Sequence, residues 1–306
     1  MESEKRHGSV SRVKLGKYAN ILLDDWFKRS FGTESRKRLL ELFLQELIPE
    51  HNIVSLHYEP AEHINPFPGK ADVRIDVECK DADGSRFIVE IQKGEMEDFY
   101  DRAVFNSTFA VQQQRKKGLE EYRFPPVYFV GVMDFSLHKG SEQVMFRYRI
   151  REDSSGEIMT DDLQYIFLEL PNCSKALTPE ASVLDNFCYA LHNMHNLPNR
   201  PEGLEQEIFT LLFDSVEISK FTAEERAKLE KDMTTENDIK NMIAFARKKG
   251  LEEGMEKGME KGMEKGRKDS AIEIARNLLA NGVSPEIVST STGLSLDEMA
   301  VLSQGK

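Results

Sequence analysis

The sequence is short of the features that mark several large protein classes. Its 306 residues include only three cysteines, Cys79, Cys173 and Cys188, far apart and in apolar surroundings. A disulfide framework or a zinc knuckle is therefore not expected, and a reducing cytoplasm fits. No uninterrupted apolar run approaches the roughly 20 residues of a membrane span, so no membrane partner is expected. The opening stretch MESEKRHGSVSRVK has no apolar stretch of the kind a secretory signal needs. There is no glycine-rich phosphate loop, and the seven histidines show no ligand spacing. Positive charge is scarce too: 41 Lys and Arg stand against 53 Asp and Glu, a formal net charge of -12. That works against a broad non-specific grip on nucleic acid, which rests on cations neutralising phosphates. What remains is an ordinary globular composition, 40% hydrophobic and 31% charged.

The apolar pattern divides the chain. Residues 1–17 read as a polar, disordered lead. Two helices are predicted next, YANILLDDWFKRSFG and ESRKRLLELFLQELI, the second with Leu39, Leu40, Phe43, Leu44 and Leu47 at helical spacing. A strand-rich block follows. ADVRIDVEC and RFIVEIQ alternate apolar and polar residues, as half-buried strands do. EDFYDRAVFNSTFAVQQQRKKG reads as a helix with Phe99, Ala103 and Val104 inward. PPVYFVGVMDF is a continuous apolar run expected at the centre of a sheet, and VMFRYRIR and LQYIFLEL add further strands. After Pro171 the signals are helical. The expected division is a core over 18–175, a helical extension over 176–250, a GMEK repeat over 251–268 and a small helical segment over 269–306.

The chemistry is concentrated in RIDVECKDADGSRFIVEIQKGE. A three-residue loop of Ala82, Asp83 and Gly84 suits a type I turn closed by a left-handed glycine. That register pairs Asp81 with Ser85 and Val77 with Val89, and sets Asp76 opposite Glu90 on one face. Like charges across a strand pair are destabilising, so something cationic is expected between them. Hard divalent ions prefer carboxylate and carbonyl oxygens. Asp76, Glu90 and the backbone carbonyl of Ile91 would supply three, with Gln92 on the same face. Such a Mg2+ site, with Mn2+ as the alternative ion, suits phosphodiester hydrolysis. The alternative is a pair of exposed carboxylates on a solvated face. Asp81, Asp83 and Gly84 resemble part of a calcium loop, but a hairpin turn is the better reading because no bidentate Glu follows at the twelfth loop position.

Asp76, the fourteen-residue step to Glu90, and EIQ resemble the core of the PD-(D/E)XK nuclease superfamily, in which E-x-K is often varied to E-x-Q. DDWFKRSFG, DVECKDADGSRFIVEIQ, YDRAVFNSTFAVQQQRKKG, PPVYFVGVMDF and the Gly-Glu-Lys-rich tail together resemble the Rpn family of recombination-promoting nucleases and transposases. The resemblance implies a mixed α/β, restriction-endonuclease-like fold, with a central mixed sheet flanked by helices and a helical C-terminal extension. It implies Mg2+-dependent DNA endonuclease activity linked to recombination or mobile elements. Carried over, Asp76 and Glu90 become metal ligands, Gln92 takes the lysine position, and Asp24 matches an acidic position of the N-terminal helix. The alternative on the same fold is a weakly active or inactive DNA-binding or assembly protein. Restoring the charge, Gln92→Lys, is expected to retain or raise activity.

Arg147 and Arg149 on one strand, and Arg115, Lys116 and Lys117 at a helix end, are candidates for DNA-backbone contact. They equally suit a solvated face and a favourably charged helix C-terminus. SPEIVSTSTGLSLDEMAVL has the outline of a helix-turn-helix, but its second helix carries Asp297 and Glu298 and no Arg or Lys. That is the wrong chemistry for phosphates, so packing or self-association is expected of it. In GLEEGMEKGMEKGMEKGRK a helix would place Gly, Met, Glu and Lys in four stripes. Each helical glycine costs about 1 kcal/mol against alanine, so such a helix needs a partner, another copy or the body. A homo-oligomer through this repeat is expected, the alternative being a solvated connector.

Overall fold

The computed structural model describes residues 15–63, 73–96, 98–114, 123–173, 177–295 and 297–298. In chain order the elements are α1 (Asp24–Phe31), α2 (Lys37–Leu47), β1 (His57–Tyr58), β2 (Glu62–His63), β3 (Val73–Arg74), β4 (Val77–Lys80) and β5 (Arg86–Gln92). These are followed by α3 (Phe99–Gln114), β6 (Val127–Met133), β7 (Met145–Arg149), β8 (Leu163–Glu169), α4 (Val183–Asn193), α5 (Glu207–Val216), α6 (Ala223–Ala280) and α7 (Pro285–Thr292). The chain divides into two compact units, residues 1–232 and 233–306. No described helix is long and apolar enough to cross a membrane.

The first unit is built on a mixed sheet in the order β1-β4-β5-β6-β8-β7. β5, β6 and β8 run parallel, with antiparallel pairs at both edges. The continuous apolar run forms the central strand: every residue of β6 is buried, as a strand covered on both faces requires. α3 covers one face, where Phe99, Ala103 and Ala110 pack with Ile88, Phe129 and Phe167. Val104, expected inward, is 49% exposed. The end of α1 lies near Val77, whose side chain alternates away from the α3 face. α1, α2, α4 and α5 pack on one another, through aromatic contacts such as Trp26 stacked on Phe221 at 4.6 Å and Phe43 on Phe187 at 5.0 Å.

Three boundaries differ from expectation. Lys17, assigned to the disordered lead, accepts a backbone hydrogen bond from Ile218, and Tyr18 bridges to Glu217. Residues 1–14 lie outside the description. The helices α4 and α5, read as part of an extension from 176, pack with α1 and α2 inside the first unit, which ends at residue 232. The strand predicted through 71–79 is broken: β3 pairs instead with β2, Ile75 donates to the carbonyl of Ala61, and the chain bends at Asp76 before β4 begins. Long-range pairing of residues 61–63 overrides an alternation that is locally continuous.

In the second unit the GMEK repeat is helical throughout, inside the 58-residue α6. The end of α6 and α7 enclose a small core of Ala275, Val288 and Leu294. A further turn is started by a capping box: Glu298 N–H donates to Ser295 Oγ at 3.2 Å, and the Glu298 carboxylate accepts from Ser295 N–H at 3.0 Å.

Gly131 on β6 sits beside Glu90 in the ladder, and α3 approaches the sheet there. A Cβ at this position would lie 2.8 Å from Phe99 Cζ and 3.0 Å from Phe167 Cδ1. Gly131→Ala is therefore expected to destabilise the body by about 1–3 kcal/mol, the usual cost of overpacking. Denaturant unfolding measures it; an unchanged midpoint would show that α3 is free to shift.

Candidate active site

The hairpin forms in the predicted register. Val77 pairs with Val89 and Cys79 with Phe87. Asp81 N–H donates to Ser85 O at 3.1 Å, and Gly84 takes the left-handed conformation, φ 95°, that the turn requires. The ladder ends at Val77 with Val89, so Asp76 stands one step past it, at the bend. Its carboxylate reaches across the hairpin, where Oδ2 accepts from Ile91 N–H at 2.8 Å. Glu90 follows on β5 and is 1% exposed. Each carboxyl is held above its ordinary range. Burial is the main cause for Asp76, opposed by the Ile91 N–H and by Lys28. Burial likewise dominates for Glu90, and the Asp76 charge adds to it, pushing the group up to about 7 against the pull of Arg102 and Asn106.

The surrounding cations come from two helices. Lys28 on α1 lies 3.2 Å from Asp76 Oδ1 and 2.7 Å from Asp24 Oδ1. Asp24, the predicted assisting acid, thus reaches the site through Lys28, one turn along the same helix. α1 buries Trp26, Phe27 and Phe31, which leaves Asp24 and Lys28 together on its other side. Arg102 on α3 lies 2.9 Å from Glu90 Oε2, and Asn106, one turn on, donates to Glu90 Oε1 at 2.6 Å. Gln92 is also tied in: its Oε1 accepts from Arg102 Nη1 at 3.3 Å and its Nε2 donates to Gly94 O at 3.1 Å. Both ends of the Gln92 amide are thus used. A lysine has no acceptor for Arg102 and would set two cations side by side. The expectation for Gln92→Lys is accordingly reversed: it should lower activity.

Lys28, Arg102 and Asn106 were not singled out from the sequence. The helical spacing of Asp24 with Lys28 and of Arg102 with Asn106 was there to read, but neither pair signals which strand it faces. Glu78, the next acidic residue on the same strand face, does not join the site. It is buried between His63 Nε2 at 2.6 Å and Arg86 Nη1 at 2.7 Å.

The predicted DNA-contacting residues fare differently. Arg147 is engaged by Glu50 and by the carbonyl of Leu47. Arg149 pairs with Asp161 at 3.1 Å. Both are thus committed within the body, which weakens the case for a backbone-contacting patch on β7. Arg115, Lys116 and Lys117 lie outside the described residues. At the far end of the hairpin, His51, Asp81 and Asp83 form a second group with donor atoms within 4.8 Å of one another. There His51 Nε2 sits 2.5 Å from Asp81 Oδ2 and 3.8 Å from Asp83 Oδ2, and the aspartates also accept from backbone N–H groups of the turn.

The two carboxylates fit a divalent cation. Both are raised by burial, and an ion that replaces the proton relieves the repulsion between them. Asp76, Glu90 and the Ile91 carbonyl would hold it, in competition with Lys28 and Arg102 for the same oxygens.

No curated protein and no solved structure matches the chain. Two family models do. Residues 268–304 match the Rpn/YhgA-like nuclease family, C-terminal HTH domain, which corrects the reading of this segment as a packing module. The acidity that argued against a helix-turn-helix is partly structural, since Glu298 is used in the capping box and pairs with Lys268 at 3.1 Å. Residues 22–246 match the PD-(D/E)XK nuclease family transposase model, and the chain, with its hairpin carboxylates on a mixed sheet between helices, belongs to that nuclease family.

Proposed function

We propose that the protein is a divalent-metal-dependent DNA endonuclease, with Mg2+ or Mn2+ as the ion, serving recombination or mobile elements. We further propose that it self-associates through the GMEK helix. The observation that carries the first reading is the half-buried Asp76 beside the buried Glu90, with Lys28 on the one and Arg102 and Asn106 on the other. A bound ion would supply a water of lowered pKa and polarise the scissile phosphate. Asp76 and Glu90 hold the ion. The Ile91 N–H and Asn106 fix the orientation of the two carboxylates. Arg102 and Lys28 are placed to turn from the carboxylates to phosphate oxygens once a cation has taken their role. Gln92 holds Arg102 in place and orients water with its amide. The C-terminal helix-turn-helix is the proposed DNA-docking element.

A plasmid-nicking assay with Mg2+, Mn2+ and EDTA tests this. Cleavage should need the ion, and Asp76→Ala or Glu90→Ala should abolish it. Lys28→Ala and Arg102→Ala should each lower it by about 10–100-fold, as loss of one charge-stabilising donor does. DNA binding without metal-dependent nicking would favour the non-catalytic alternative.

The carboxylates also give a readout without DNA. The folded protein holds the Glu90 proton up to about 7, while the unfolded chain loses it near 4.3. Between those values the folded state binds more protons, so stability is full below the unfolded value and falls as pH rises toward 7. The loss is on the order of 3 kcal/mol. Denaturant unfolding in EDTA from pH 4.5 to 8 should show this decline. It should be much smaller in Glu90→Gln, where only Asp76 remains raised, and reduced when Mg2+ is present. A wild-type profile matching that of Glu90→Gln would remove Glu90 from the strained pair.

A further inference from the structure

From Gly250 to Gly266, α6 carries a glycine at every fourth residue, and methionine, glutamate and lysine follow in turn along the repeat. At about 100° per residue, methionine lies about 100° from glycine on one side and lysine about 60° from it on the other, with glutamate opposite, and each stripe turns by about 40° per repeat. Met255, Met259 and Met263 are 64–68% exposed. At each of the glycines an added Cβ would meet nothing within 4 Å. Alanine would therefore fit at every one, and would strengthen the helix. Among the described residues nothing requires the missing side chains. What a stripe of glycines admits is the close approach of another helix backbone, and the methionines beside it are adaptable apolar cover for such a contact.

Building on the self-association proposed above, we infer that the glycine–methionine face of α6 receives the same face of a second copy, with the two helices parallel and crossing right-handedly. Charge selects both the partner and its direction. From Gly254 to Gly266 glutamate and lysine alternate one for one, and the unit before it adds Glu252 and Glu253, so the face has no excess of positive charge to draw nucleic acid. Beyond the glycine stripe lies lysine, and beyond the methionine stripe lies glutamate. In a parallel pair related by a twofold that bisects the crossing, the lysine edge of one copy meets the glutamate edge of the other on both sides of the contact. In an antiparallel pair, lysine would face lysine and glutamate would face glutamate. The period fixes the crossing. Ridges at four-residue spacing interdigitate at about -50°, so the contact is local rather than a long coiled coil. About 22 residues, or roughly 33 Å of helix, separate Gly258 from Ala280. The two C-terminal segments would then emerge on the same side of the crossing, roughly 30 Å apart, on the order of one turn of duplex DNA.

Cysteine cross-linking of the full chain decides the orientation, because Cys79, Cys173 and Cys188 are all buried. Gly254→Cys and Gly262→Cys are each treated with a short bismaleimide, alone and as a mixture. Parallel pairing predicts covalent dimer from each variant alone. Dimer formed only in the mixture would mean antiparallel pairing about Gly258; that overturns the inference while self-association stands. Sedimentation of the wild-type chain as a monomer, with no cross-linking of either variant, would overturn self-association as well, and the nicking assay would be unaffected. A Cβ at Gly258 meets nothing within 4 Å, and Gly258→Ile is expected to weaken association by about tenfold or more. Undiminished association of that variant would show that the glycine stripe is not the contact.

Discussion

Two carboxylates withdrawn from water into each other's field are unstable unless positive charge is supplied from elsewhere in the fold. In this protein the supply determines much of the architecture around the hairpin. Lys28 reaches Asp76 from α1, and Arg102 reaches Glu90 from α3. Those helices must therefore be held firmly against the sheet edge where the hairpin opens. The stacked Trp26 and Phe221, with Arg29 over the Phe221 ring at 4.3 Å, hold α1. Phe99, seated against Gly131, holds α3. A core of ordinary apolar packing thus serves to position four charged groups.

The same arrangement bears on the residue two positions beyond Glu90. Positive charge beside the carboxylates need not come from the strand that carries them. With Arg102 already beside Glu90, the residue two positions on is better as a hydrogen-bond acceptor than as a second cation. Gln92 supplies that acceptor, and its other amide atom closes on Gly94. Net charge near the carboxylates is kept close to balance, so a cation entering the site changes the electrostatics by displacement rather than by simple addition.

The hairpin was legible from the sequence because every determinant of it is local. Alternation fixes the faces, the length of the loop and Gly84 fix the register, and Asp76 and Glu90 follow by counting. The central strand was legible as an apolar run too long to be half exposed. The break at Asp76 was not, since it depends on pairing between residues 61–63 and 73–75, and nothing in ADVRIDVEC announces a change of partner. Lys28 and Arg102 were hidden for the related reason that a helix sequence shows which residues share a side, not which strand that side meets. The C-terminal segment was misjudged because Glu298 was counted as a surface charge, whereas its carboxylate belongs to a cap.

An acidic protein that works on DNA faces a difficulty of grip. With a net charge of -12, and with Arg147 and Arg149 committed to Glu50 and Asp161, β7 adds little to a grip on the phosphate backbone. Affinity that rests on few phosphate contacts is weak, and it is correspondingly insensitive to salt. Linking two weak contacts compensates, because the second engages at a high effective concentration once the first has formed. Paired tails bearing two helix-turn-helix segments would provide such a link without any increase in the body's positive charge. On this view the glycine repeat and the buried carboxylates address one problem from two ends. The site would limit its own attraction for DNA by neutralising Lys28 and Arg102 internally, and a paired α6 would restore residence on the duplex by geometry.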